Sequence, residues 1–164
     1  MTVRFDLIDK QIAWAEKESK KGSKSKWDQS DWGVTKPSCG TAFCVAGHIA
    51  NEAGYRPSYR QRSSDPEYLY GDKRFVYLEN WAEVLPPEVD VKRDEYGYFP
   101  DDLVVPVDRV ADEILGIDGL RYDPSLGDLF DGRNTITDLK QIRDEYAEAE
   151  GEPRVYTDQY GDLL

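Results

Sequence analysis

The chain has 164 residues, carries 33 Asp and Glu against 21 Lys and Arg, and has a net charge of −12. That length fits a single domain, 1–164, able to bury about two-thirds of its unfolded surface. No run approaches the ~20 apolar residues of a membrane span, the first residues lack the apolar region of a signal peptide, and two cysteines are too few for a disulfide framework.

The charge is unevenly spread. Residues 1–26 hold seven Lys/Arg and four Asp/Glu, whereas residues 94–164 hold six and nineteen, with Asp144 and Glu148 among the acids. Such a face keeps a protein soluble, meets a basic partner, or mimics nucleic acid. DNA binding is disfavoured, because neutralising phosphates supplies most of that affinity. The basic run Lys17, Lys20, Lys21, Lys24, Lys26 is too short to reverse the balance.

In chain order, Phe5, Ile8, Ile12 and Ala15 recur at helical spacing and predict a helix from about Asp6, its cap, to Lys20, with Gly22 as its stop. A connector, Gly22 to Lys26, leads to Trp27 and Trp32, large rings that pack on a core or anchor a partner. Pro37 forces an extended entry, and Gly40 or Thr41 is expected to cap a central helix running to Ala53, with Ala42, Ala46, Gly47 and Ala50 as a small-residue face and Gly54 as its end.

Residues 54–105 change character and read as an insertion rich in Tyr, Arg and Pro. Tyr68-Leu69-Tyr70 and Arg74-Phe75-Val76-Tyr77 around Gly71-Asp72 predict a β-hairpin, and Trp81 to Leu85 a short helix before Pro86-Pro87. Then Val107, Val110, Ala111, Ile114 and Leu115 form one apolar stripe closed by Gly116. A short helix is expected from Asp123 to Phe130, and a last one capped by Thr137 with Leu139, Ile142 and Tyr146 inward. Residues 151–164 are polar and read as a flexible tail. The expected class is α+β, mainly α: one helix-dominated domain with a small β-hairpin or loop insertion.

Trp27-Asp28-Gln29-Ser30-Asp31-Trp32, the stretch Cys39-Gly40-Thr41-Ala42-Phe43-Cys44-Val45-Ala46-Gly47-His48-Ile49-Ala50, then Ile114-Leu115-Gly116-Ile117 and Leu129-Phe130-Asp131-Gly132-Arg133-Asn134 resemble the pattern of a small-protein family of actinobacterial phages and some bacteria. The resemblance covers roughly half the chain and leaves out the insertion. It implies a phage origin, hence the cytoplasm of an infected bacterial host cell, and a fold core built on Trp27, Trp32, Cys39, Gly40, Thr41, Cys44, Gly47 and His48. It implies no reaction.

Both cysteines and the only histidine fall within that second stretch. Cys39 is placed just before a helix N-terminus, where the dipole favours a thiolate. A thiol enzyme needs a base, yet His48 stands nine residues on, about 13.5 Å along a continuous helix. Cys44 can reach His48 one turn away, but from an apolar stretch that disfavours a thiolate. Cys39, Cys44 and His48 supply at most three zinc ligands, so no metal and no other cofactor is expected. They remain the candidates for a cysteine-based or metal-assisted hydrolase.

Tyrosine, tryptophan and arginine are the commonest interface anchors, and the insertion concentrates them: Tyr59, Arg60, Arg62, Tyr68, Tyr70, Tyr77 and Trp81. They cover the helical core or form a partner surface. The expected function is non-enzymatic, an accessory protein binding a host or phage protein through this insertion or the acidic C-terminal face. A hydrolase centred on Cys39, Cys44 and His48, and an acidic DNA-mimic decoy, are the alternatives.

Overall fold

The computed structural model describes residues 2–30, 34–36, 40–57, 69–70, 73–74, 83–92, 94 and 99–164, and of 34–36, 40–41, 57, 69–70 and 73–74 the backbone alone. Over those residues the chain forms five α-helices and three small antiparallel sheets, an α+β fold that is mainly α. Among them no helix is long and apolar enough to cross a membrane.

Helix α1, Phe5–Ser19, buries Ile8, Ile12 and Ala15 along the expected face. Its N-cap is Arg4 rather than Asp6, whose carboxylate sits in the first turn and accepts two bonds from the Arg4 guanidinium. The backbone N–H of Arg4 donates to the Leu115 carbonyl at 2.8 Å, tying the chain's start to a distant helix end. Beyond the helix, Gly22 adopts φ 57° and opens a 3-10 turn over Gly22–Lys24.

The central helix is shorter than expected. Strand β1, Val34–Lys36, pairs with β2, Gly40–Ala42, bringing Thr35 opposite Thr41, and only then does α2 begin, over Val45–Glu52. Gly40 and Thr41 are therefore strand residues and not a helix cap. β-Branched threonine favours the pleated conformation, and the hairpin gives these amides partners that a helix start would leave open. α2 ends as expected, with Gly54 at φ 86° and the Tyr55 N–H donating to the Ala50 carbonyl.

Next come β3 (Arg56–Pro57), the hairpin β4 (Leu69–Tyr70) with β5 (Lys73–Arg74), then β6 (Glu83–Leu85) and β7 (Val105–Pro106). β6 lies between β3 and β7 in one sheet. The short helix expected over Trp81 to Leu85 is thus a strand where it is described, because neighbours on both sides decide the fate of so short an apolar run. Val84 and Leu85 are fully buried, and Val84 packs with Phe43, Ala50, Val107 and Val110. Through Val84, Leu85 and Phe99 the segment 54–105 supplies part of the buried core.

α3, Val107–Leu115, buries Val107, Val110, Ala111 and Leu115 of the predicted stripe, with Ile114 half-buried, and closes at Gly116, φ 68°, where a Cβ would stand 2.6 Å from the Thr2 carbonyl oxygen. A single turn, α4, Asp118–Arg121, follows. No helix forms from Asp123 to Phe130. The Asp123 and Asp128 carboxylates accept the Ser125 and Phe130 N–H groups, local bonds that compete with a helix. α5, Ile136–Ala149, starts at Thr135 rather than Thr137, in a capping box with Asp138.

α2 packs on α3 and α1, and α1 on α5, around Ile8, Ile12, Val45, Leu115, Leu139 and Tyr146. Each such fully buried side chain contributes about 1.5–3 kcal/mol relative to exposure. Residues 151–164, read from composition as a flexible tail, fold back on α5. Thr157 and Leu163 form an antiparallel bridge, and the Leu164 N–H donates to the Tyr156 carbonyl.

Candidate functional site

Three of the stretches that carry the family resemblance meet at one buried side chain, Gln29. Its amide nitrogen donates to the carbonyls of Leu129 (3.1 Å) and Asp131 (3.3 Å). Its oxygen accepts the Val45 N–H at the start of α2 (3.2 Å) and the Trp27 indole N–H (3.4 Å). The backbones of Trp27 and Phe43 pair in a parallel bridge beside it. Gly132 lets the last stretch approach: a Cβ there would stand 3.3 Å from the Ser30 Cα. The motif residues joined here do structural work.

Cys44 is the N-cap of α2, with ψ 177°, and its Sγ accepts the Gly47 N–H at 3.4 Å. It is 2% exposed. The expectation that Cys44 lies within the helix is therefore wrong: its sulfur takes the place of a capping oxygen. Gly47 is buried on the first turn.

His48 points toward α1, where its ring stacks on Trp14 with centroids 3.6 Å apart and planes within 3°. Nδ1 lies 2.6 Å from the Gln11 oxygen. The Gln11 amide nitrogen donates to Glu52 (2.9 Å), so that oxygen must accept and Nδ1 carries the proton. Burial pushes the imidazole pKa below its usual value, the Glu52 carboxylate opposes this, and Lys10 adds to it. The folded protein therefore holds His48 neutral more firmly than the unfolded chain does.

Among the described residues no hydrogen bond links the Cys44 and His48 side chains, and no three His, Cys, Asp or Glu residues could hold a metal ion. No protein-family model, curated protein or solved structure matches the chain.

The remaining predicted site residues fare differently. Trp32, Cys39, Tyr59, Arg60, Arg62, Tyr68, Tyr77 and Trp81 lie outside the described residues. Of Tyr70, Gly40 and Thr41 the backbone is described, in β4 and β2. With Gly40–Ala42 in β2 and α2 starting only at Val45, no continuous helix leads from residue 40 to His48, so the helical rise of about 13.5 Å does not apply to Cys39 and His48.

Two charged hubs were missed. The Arg143 guanidinium, 6% exposed, donates to both oxygens of Asp9 in α1, to Asp144, and to the Pro153 carbonyl. Asp144, fully buried, accepts the N–H groups of Val155 (3.0 Å), Tyr156 (2.8 Å) and Thr157 (2.7 Å) and the Thr157 hydroxyl (2.9 Å). Three successive amides thus form a nest around one carboxylate. Burial works to raise the Asp144 pKa, but these donors hold it below the usual carboxylate value.

The second hub is Arg121, which pairs with Asp108, Asp112 and Asp128 and lies over the rings of Tyr122 and Phe130, 4.9 and 4.7 Å from their centroids. Among the described residues Asp112 Oδ1 is buried there without a hydrogen-bond partner, and burial raises that carboxyl's pKa. In the sequence both hubs read as ordinary surface charge. Only apolar helical positions beside them, such as Leu139 and Ile142, hinted that α5 had a buried face.

Proposed function

We propose that the protein is a non-enzymatic accessory protein of the actinobacterial-phage type that recognises a host or phage protein in the cytoplasm of the infected cell. The observation that carries this reading is the C-terminal turn. Val155, Tyr160, Leu163 and Leu164 are 46%, 80%, 48% and 83% exposed on a segment fixed by buried bonds, within the stretch 94–164 that holds nineteen acids. All four fall within one ten-residue turn, and exposed apolar area that is contiguous marks partner surfaces. The engagement of Cys44 as a helix cap and of His48 with Gln11 and Trp14 supports a packing role for both.

Affinity capture with the intact protein from lysate of a host cell, followed by sedimentation of the recovered complex, tests the reading. One protein retained in a defined stoichiometry is the expected result. Hydrolysis of an ester or thioester by the purified protein, lost in Cys44→Ser or His48→Gln while the variant stays folded, overturns it in favour of a hydrolase.

A further inference from the structure

We infer that the docking element is the C-terminal turn, residues 155–164, and that it takes a positively charged protein segment presenting apolar side chains. The inference rests on the binding role proposed above and adds the surface and the partner chemistry. Among the described residues, four of the five exposed large hydrophobic residues fall in this turn; the fifth, Tyr122, lies on the far side of α5 in sequence.

The turn is ordered before anything binds. Its base is the Asp144 nest, and its two arms are joined by the Thr157 to Leu163 bridge. At its tip the Asp158 carboxylate accepts the N–H groups of Tyr160 (2.8 Å) and Asp162 (3.0 Å), while Gly161, φ 85°, supplies the left-handed conformation the reversal needs. A rigid apolar display loses little conformational freedom on docking.

Charge selects the partner. From residue 148 to residue 162 the chain carries Glu148, Glu150, Glu152, Asp158 and Asp162 against Arg154 alone, and Arg154 is already paired with Glu148. Tyr160, Leu163 and Leu164 thus project from a segment that repels anions, which disfavours an acidic membrane surface and favours a basic protein segment. A second copy is also disfavoured, because two chains of charge −12 repel and the lysine-rich run 17–26 carries Trp27 only beyond its end.

The test uses the intact protein and short fluorescent peptides read by anisotropy. One peptide alternates Lys with Leu, one alternates Lys with Ser, and one alternates Glu with Leu. The Lys–Leu peptide is expected to bind about tenfold or more tighter than the Lys–Ser peptide, and the Glu–Leu peptide not at all. In Tyr160→Ser/Leu163→Ser/Leu164→Ser that preference should vanish while the melting temperature stays unchanged, since all three side chains are exposed. Equal binding of the two lysine peptides, or an undiminished preference in the variant, overturns the inference. So does concentration-dependent self-association that the variant abolishes, which would make the occupant a second copy. Lysate capture by wild type and variant in parallel separates this failure from that of the binding role. A partner retained by both leaves the binding role standing and removes the turn from it, whereas hydrolase activity without capture removes both.

Discussion

Replacing Asp144 by Asn is the most searching single perturbation this structure offers. The exchange preserves shape almost atom for atom but turns one acceptor oxygen into an NH2 donor. Oδ1 accepts the Val155 N–H and an Arg143 Nη1 bond, and Oδ2 accepts Tyr156 N–H, Thr157 N–H and the Thr157 hydroxyl. Whichever way the amide turns, at least two donors face a donor. Hydrogen bonds to a charged group contribute about 1.5–3 kcal/mol each, and breaking a buried charged network by removing one partner costs about 3–5 kcal/mol. That is a large share of the roughly 5–15 kcal/mol by which a domain of this size is stable. Urea unfolding followed by tryptophan fluorescence should show the loss, and limited proteolysis should cut residues 151–164 first. A loss below about 1 kcal/mol, of the size expected for a surface residue, would refute the assignment of Asp144 as the anchor. The same bonds set a pH dependence. Because the folded-state pKa is depressed, the stabilisation is fully present above the usual carboxylate value near 3.8 and is lost as the pH falls through the lower folded value. In Asp144→Asn that acid limb should flatten.

His48 predicts a second, separate pH dependence: its depressed pKa means stability is full above its usual 6.5 and declines as the pH falls below it. His48→Gln should remove this component from unfolding midpoints measured between about pH 5 and about pH 8. Gly127→Ala should destabilise by about 1–3 kcal/mol, since a Cβ there would stand 2.5 Å from Ile142 Cγ1; an unchanged urea midpoint would show that α5 can give way. Cys44 should resist a thiol reagent until the protein unfolds, and Cys44→Val, which removes the cap, should cost about 0.5–2 kcal/mol while Cys44→Ser costs less. Rapid labelling of native Cys44, detected by mass spectrometry of its peptide, would contradict its burial.

What the sequence disclosed was its locally encoded structure. α3 was legible because Val107, Val110, Ala111 and Leu115 repeat at helical spacing and Gly116 marks the stop, and α1 was legible for the same reason. The start of α2 was not, since cysteine is no ordinary cap and Gly40 to Ala42 have the small residues of a close-packed helix; pairing with Val34–Lys36 decides the matter. The start of α5 carried a readable signal, Thr135 followed three residues later by Asp138, overlooked in favour of Thr137. The strand at Glu83–Leu85 depends on partners far away in sequence, which no local pattern contains. Of the candidate site, the Trp27 run was legible as large rings that pack on a core, but Gln29, the group that joins it to α2 and to Leu129–Asp131, was not singled out.

The polar residues that escaped notice share one physical property: their value lies in what the backbone of another segment offers them. Asp144 is chemically the same as the exposed acids around it, and only the three amides of residues 155–157 make it structural. This has a consequence for recognition. If the turn displays Tyr160 and Leu163 because Asp144 holds it, then Asp144→Asn should abolish binding of a Lys–Leu peptide although Asp144 itself is buried and touches no partner. Tyr160→Ser/Leu163→Ser/Leu164→Ser should bring the same binding down to the level of the Lys–Ser peptide at full stability. The two losses differ in their response to ordering. Adding a stabilising osmolyte, which favours compact states, should restore part of the binding to the Asn variant and none to the serine variant. Recovery in neither would mean that the Asn variant loses more than order. Recovery in both would mean that the apolar display is not the contact.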